Sequence, residues 1–208
     1  MEFKRIVPEQ ILSVYPEHEN GRLVLPNGVT TTWKKKQLHN EDGPAVVYPG
    51  YGFEYYRKGK LHRDDGLAAA QLDSRSEYYW WGKLHRIDGP AIEDKDRNIQ
   101  VWAQNGQKHR YKAPAVIHEP LGYIGYWEMG ARHRIDGPAR IWTLENKIEW
   151  WLKGNLLTEE ELNKVNDCFQ PGNISWPLLF GHPTLRPIAE FVKAGGTLSE
   201  PVSFASFK

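Results

Sequence analysis

A histidine returns through this chain at near-constant spacing: His39, His62, His85, His109 and His133 stand 23, 23, 24 and 24 residues apart. A fixed period of that length marks an array of small units that stack on one another. Other positions hold the same phase. Asp42, Asp65, Asp88 and Asp136 follow their histidines by three residues. Gly59, Gly82, Gly106 and Gly130 precede theirs by three, with Lys36 in the first copy. Aromatic pairs stand just before the glycines, at Tyr55-Tyr56, Tyr78-Tyr79, Tyr126-Trp127 and Trp150-Trp151, while the first and fourth copies keep one ring each, Trp33 and Trp102.

Within a unit the residues predict strand, turn, strand, loop. Pro44 to Tyr48 is extended in character, Pro49-Gly50-Tyr51-Gly52 is a turn, and Phe53 to Arg57 is a second, aromatic-rich strand. The turn slot is refilled by Asp73 to Ser76, Asp96 to Asn98, Glu119 to Gly122 and Glu145-Asn146, and an earlier hairpin turns at Pro26-Asn27-Gly28. In the loop, Gly89 suits a left-handed backbone, Asp88 suits accepting loop N–H groups, and Arg86 suits packing over a ring of the next unit.

A sixth copy, Trp150 to Leu156, has Leu157 in place of His and runs into Thr158-Glu159-Glu160-Glu161. That is a capping-box pattern opening a helix, with Leu162, Val165 and Phe169 on one face and Pro171-Gly172 as its stop. A second short helix is predicted over 185–194, ended by Gly195-Gly196. The expected fold is mainly β: an elongated array of about six antiparallel β-hairpin repeats over 1–157, with a small helical cap and tail over 158–208.

The repeat, as in Tyr79-Trp80-Trp81-Gly82-Lys83-Leu84-His85-Arg86-Ile87-Asp88-Gly89-Pro90-Ala91, resembles that of the Trp-Tyr-x-Asn-Gly-Lys-x-His-Arg-x-Asp-Gly-Pro-Ala proteins, MORN-like β-hairpin repeats common in bacteriophages and large viruses. The resemblance covers roughly residues 22 to 160. It implies a hairpin-repeat fold and a viral or bacterial origin, and it carries no common catalytic activity.

Net charge is +1 and there is a single cysteine, Cys168, so no disulfide forms within the chain. The charge balance weighs against a general nucleic-acid binder, although Lys34-Lys35-Lys36 forms a short basic run. The N-terminal residues lack the apolar core of a signal peptide, and no stretch approaches a membrane helix in length. The expected location is the cytoplasm, that of the host if the protein is viral, with no membrane partner.

The His-Arg-x-Asp run looks like a base with its orienting carboxylate. Built repeatedly at regular spacing, it reads instead as loop structure: His39, Asp42, His62, Asp65, His85, Arg86, Asp88, His133, Arg134 and Asp136. Metal binding fails for the same reason, since successive histidines fall one hairpin apart. Cys168 and His182 form no recognisable nucleophilic pair. No catalytic residue, cofactor or metal is assigned.

Binding is expected where periodicity breaks. The fourth loop, with Trp102, Lys108, Arg110, Tyr111 and Lys112, replaces the acidic residue by a lysine. The C-terminal extension offers Trp176, Phe180 and His182. The expected function is a non-enzymatic macromolecule-binding protein, an inhibitor or adaptor whose partner is another protein. Two alternatives stand beside it: nucleic-acid or nucleotide binding through stacked Trp/Tyr and Arg/Lys, and a small enzyme with its site at the junction of array and extension.

Overall fold

The computed structural model describes residues 5–65, 69–170, 173–174 and 185–197, with side chains described for 5–65, 69–164 and 185–197. The chain is mainly β, built from short antiparallel strands with few helices. It divides into two compact units, Met1–Gln107 and Lys108–Lys208. The division falls inside the array.

In the first unit, the strands Gly21–Val24, Thr30–Lys34, Val46–Tyr48, Gly52–Glu54, Ala70–Leu72, Arg75–Glu77, Ile92–Asp94 and Ile99–Val101 follow one another across an antiparallel sheet in chain order. In the second, Val116–His118, Tyr123–Gly125, Arg140–Trp142 and Lys147–Glu149 do the same. Consecutive hairpins as neighbours keep the strand pairing local, as a repeat array requires.

The predicted second strand, Phe53 to Arg57, is broken. Gly52–Glu54 belongs to the main sheet, whereas Tyr56–Arg57 pairs with Lys60–Leu61 in a two-residue hairpin of its own. The pattern recurs at Tyr79–Trp80 with Lys83–Leu84, Trp127–Glu128 with Ala131–Arg132, and Trp151–Leu152 with Asn155–Leu156. Each unit therefore has two hairpins, one in the sheet and one in a short arm. Both residues of every arm turn have positive φ: Lys58-Gly59 at 48° and 72°, Trp81-Gly82 at 49° and 81°, Met129-Gly130 at 48° and 81°. This is the two-residue turn whose twist matches that of its strands, and it accounts for the periodic glycine. Gly89 is not in that region; a Cβ there would lie 2.7 Å from Cζ of Arg86, so a side chain would displace the guanidinium that packs over this glycine.

The motif alanines Ala45, Ala91, Ala115 and Ala139 are fully buried, and Ala69 takes the same role one residue later in its copy. The carbonyls of Ala45, Ala69, Ala91 and Ala139 accept from the residue that precedes the arm, as in Tyr78 N–H to Ala91 at 2.8 Å and Tyr126 N–H to Ala139 at 2.8 Å. Each unit caps its end of the array with a helix. In the first, Pro8–Val14 starts on a proline and buries Ile11 against Val29, Trp33, Leu38 and Tyr48. The sequence reading did not anticipate this seven-residue helix. In the second, Glu159–Cys168 opens with the predicted capping box: Glu161 N–H reaches Thr158 Oγ1 at 3.2 Å, and Thr158 N–H reaches Glu161 Oε2 at 2.8 Å. Leu162 and the helix Arg186–Lys193, through Ile188 and Ala189, close over Trp150, Leu152 and Leu157.

Candidate functional site

The motif histidines share one geometry. Each Nδ1 accepts the backbone N–H of the first turn residue in the following arm: Lys58 to His39 at 3.1 Å, Trp81 to His62 at 3.3 Å, Asn105 to His85 at 3.1 Å, Met129 to His109 at 3.2 Å and Lys153 to His133 at 3.2 Å. The turn glycine donates alongside, Gly59 to Leu38 and Gly82 to Leu61, at 2.9 and 2.8 Å. An Nδ1 that accepts fixes the neutral tautomer with its proton on Nε2. That proton faces Asp64 at 2.7 Å on His62 and Glu41 at 3.0 Å on His39. The histidine is thus a staple between consecutive arms, and its acceptor nitrogen is occupied.

The arginine that follows lies over a ring of its own unit, not the next: Arg63 over Tyr55 at 4.2 Å, Arg86 over Tyr78 at 3.9 Å and Arg134 over Tyr126 at 4.3 Å. The correction follows from chain direction, because the arm folds back over the strand that leads into it. The same guanidinium pairs with the aspartate two residues on, Arg63 with Asp65, Arg86 with Asp88 and Arg134 with Asp136, at 2.8 to 3.0 Å. It also donates to the motif proline carbonyl, as Arg86 to Pro90 and Arg134 to Pro138, both at 3.3 Å. In the first copy Asn40 holds both ends of the loop instead, donating to Pro44 O and accepting from Asp42 N–H. Asp88 pairs with Arg86 and remains exposed, its carboxyl held below the usual range chiefly by that hydrogen bond. All three motif side chains are engaged in building the loop.

A second polar constellation is buried in the first unit. Glu54 and Glu77 occupy the same place in successive repeats and point inward, Glu54 fully buried. Arg5 spans them: its Nη2 donates to Glu77 at 2.8 Å, and its Nε faces Glu54 Oε1 at 2.5 Å, off the hydrogen-bonding angle, so that contact is an ion pair. Tyr48 donates to Glu54 at 3.1 Å and Tyr79 to Glu77 at 3.0 Å. Burial pushes the Glu54 carboxyl up, against the pull of Arg5. Burial pushes Glu77 the same way, but hydrogen bonds from Arg5 and Arg75 win and its carboxyl lies below the usual range. For Arg5, burial alone would lower the pKa, and the two carboxylates more than offset it. Thr31 and Glu149 hold equivalent places, each accepting an indole N–H, from Trp33 at 2.7 Å and Trp151 at 2.9 Å. At Gly125 no acid is present and the Trp127 ring fills the space.

The fourth loop behaves differently. In the second unit a half-open cavity of about 390 Å³ lies between the fourth and fifth loops. Arg110, Tyr111 and Lys112 line one side, and His133 to Asp136 the other. Tyr126, Glu128 and Phe191 complete the wall. Lys112 stands where other copies have aspartate, and its Nζ sits 5.2 Å from the Tyr111 ring centre. Arg110 keeps the motif bond to its proline, Nη1 to Pro114 O at 3.2 Å. Arg110, Lys112 and Arg134 face Glu128 and Asp136, so the lining is net cationic where an aspartate at 112 would make it net anionic. His133 Nε2 lies 3.6 Å from Glu128, and burial, ahead of that attraction, keeps its pKa below the ordinary value.

The structure thus brings Arg110, Tyr111 and Lys112 to one cavity. Lys108 lies in the same unit, with Nζ 5.0 Å from the Trp127 ring centre. Trp102 belongs to the first unit, half-buried between Ile99–Val101 and its arm. Trp176, Phe180 and His182 fall outside the described residues, and the Cys168 side chain is not described. Phe191, Tyr126 and Glu128 were missed as lining groups. Phe191 read as a core position on an amphipathic helix, and the other two read as ordinary repeat residues. Among the described residues no three His, Cys, Asp or Glu side chains are placed to hold a metal ion, and no helix is long and apolar enough to cross a membrane. No protein-family model matches the chain, and no curated protein matches it.

Proposed function

We propose that the chain is a non-enzymatic binding protein whose second unit captures an acidic segment of a partner protein. The observation that carries this is the cavity of about 390 Å³, placed where the repeat exchanges aspartate for Lys112. Arg110 and Lys112 supply charge for a carboxylate, and Tyr111, Tyr126 and Phe191 supply apolar wall. Arginine and tyrosine in a partly enclosed pocket are the residue types that dominate binding energy at protein interfaces. The regular loops argue for the same division of labour, because their polar groups are consumed in holding repeats together. An adaptor or inhibitor role, on a host or defence protein if the gene is viral, extends this reading through the sequence resemblance.

Replacing Lys112 by Asp restores the residue type of the other loops at an exposed position, and Asp tolerates the positive φ of 53° found there. Affinity purification with the full-length protein, followed by quantitative mass spectrometry, should give one stoichiometric partner with the native chain. The Lys112→Asp chain is expected to lose it at least tenfold, about 1.4 kcal/mol. Equal recovery by both chains contradicts the assignment of the cavity.

A further inference from the structure

We propose that the arm-turn tips of the first unit form a separate binding face for single-stranded nucleic acid. The four tips are Lys34 to Gln37, Arg57 to Lys60, Trp80 to Lys83 and Gln104 to Gln107. Together they carry seven cations, Lys34, Lys35, Lys36, Arg57, Lys58, Lys60 and Lys83, and no acid. The whole chain is only +1, so the charge is gathered at these tips and the rest of the chain is net negative. A near-neutral total therefore conceals a local basic face, the electrostatic footprint of a polyanion site.

The tips are held in a fixed column. The first turn donates its two N–H groups to Asn20 and Glu19, the other three donate two each to the arm before, and each of their glycines packs its α-carbon over a neighbouring side chain. A Cβ on Gly59, Gly82 or Gly106 would lie 3.7 Å from Cβ of Gln37, Lys60 and Lys83 respectively. Lys60 and Lys83 thus stand one above the other on successive arms. Three carboxylates approach the face, Glu41 at 3.2 Å from Lys34, Glu19 at 3.6 Å from Lys36 and Asp64 at 4.0 Å from Arg57. The two lysine pairs are exposed on both sides, and exposed pairs of this kind are weak, whereas Arg57 is only 18% exposed and sits closer to its arm.

At the third tip the cations give way to two rings. Trp80 and Trp81 are 47% and 41% exposed, a large area for residues of this type. Trp81 stacks on the buried His62 ring at 4.3 Å with 20° between planes, and Trp80 meets the same ring edge-on at 4.5 Å. The histidine staple fixes the inner face of Trp81 and leaves the outer side of the pair to solvent. Basic side chains leading to pre-positioned indoles are the combination that binds single strands: phosphates along the cations, bases on the rings. An acidic peptide would use the charge and leave the indoles without a planar partner, so the rings decide for nucleic acid. The second unit lacks the feature; its tips read Glu128-Met129-Gly130-Ala131 and Leu152-Lys153-Gly154-Asn155.

The fourth tip, Gln104-Asn105-Gly106-Gln107, supplies its own control, since it forms the same turn without cation or ring. Two variants of the full chain copy it: Lys58→Asn/Lys60→Gln/Lys83→Gln, whose glutamines keep the side-chain stem that the next turn glycine packs over, as Gln37 does beside Gly59, and Trp80→Gln/Trp81→Asn. The probe is a fluorescein-labelled oligo(dT) or oligo(rU) of about 20 nucleotides, with anisotropy read from ~50 to ~200 mM salt. The native chain should bind at low salt with quenching of tryptophan emission. The lysine variant should flatten the log–log salt dependence by about 2, from three phosphate contacts at ~0.7 each. The tryptophan variant should bind about tenfold more weakly with its salt dependence unchanged. Absence of binding at low salt overturns the proposal. So does binding that neither variant alters, or equal binding of polyglutamate that ignores the tryptophan change.

Discussion

Arg5→Met lowers the stability of the first unit by about 3 kcal/mol at neutral pH, the low end of the range for breaking a buried pair because Arg5 itself is 36% exposed. The change strands Glu54 and leaves Glu77 with Arg75 alone, at 2.6 Å, where the two carboxylates had shared the Arg5 guanidinium. The loss should depend on pH, and the signs differ between the two acids. Glu54 has a folded-state pKa raised above the ordinary 4.5, so its contribution is fully present below that value and falls as pH rises through the raised one. Glu77 is depressed, so its contribution is present above 4.5 and falls as pH drops. Without Arg5, Glu54 loses its charge partner and Glu77 keeps only Arg75, so both carboxyls move upward. The gap between native and variant chains should therefore narrow on acidification toward about pH 4.5, where the stranded carboxyls take up protons. Chemical denaturation of both chains across that range measures it. A gap that stays constant or widens would mean that Arg5 contributes by packing alone.

His62→Ala is the second large effect, about 2 to 4 kcal/mol. His62 is almost wholly buried, accepts the Trp81 N–H, faces Asp64 at 2.7 Å and carries the Trp81 indole. Its removal leaves an N–H without a partner and a ring-sized gap. The exposed member of the same motif is different in kind: Asp88→Ala should lower the melting temperature only slightly and leave binding intact. Equal losses from the two substitutions would contradict a division into staple and surface pair.

The period, the sheet hairpins, the capping box and the helix over 186–193 were legible because each rests on residues close in sequence. What was hidden depended on stacking. The arms contain two paired residues a side, too short for alternation to reveal, so Phe53 to Arg57 read as one strand. Gly89 and Arg86 were assigned to the wrong geometry because the loop folds back on its own unit. Glu54 and Glu77 look like solvent-facing acids in an alternating strand, and only Arg5, far away in sequence, reveals their burial. The Lys34 to Lys36 run was visible only as a short basic run, and its partners Lys58, Lys60 and Lys83 become neighbours only once the arms are stacked. For the cavity, Lys112 was visible as a break in phase, whereas Phe191 was not, since nothing in a helix pattern says which repeat it meets.

The central claim is that the repeating histidine is a structural acceptor, so that the histidine, arginine and aspartate of the motif join units and recognition lies on other side chains. Two-dimensional nitrogen–proton spectra of the histidine rings, in the intact protein at about pH 8, test this most directly. The account predicts five neutral rings protonated at Nε2, each Nδ1 hydrogen-bonded to an amide of the next arm. It also predicts that His133, whose folded pKa lies below the ordinary 6.5, resists protonation as pH falls, so that the stability present above about 6.5 is lost toward the lower folded value. Rings protonated at Nδ1, or rings that titrate freely without any change in the amide spectrum of the arms, would contradict it.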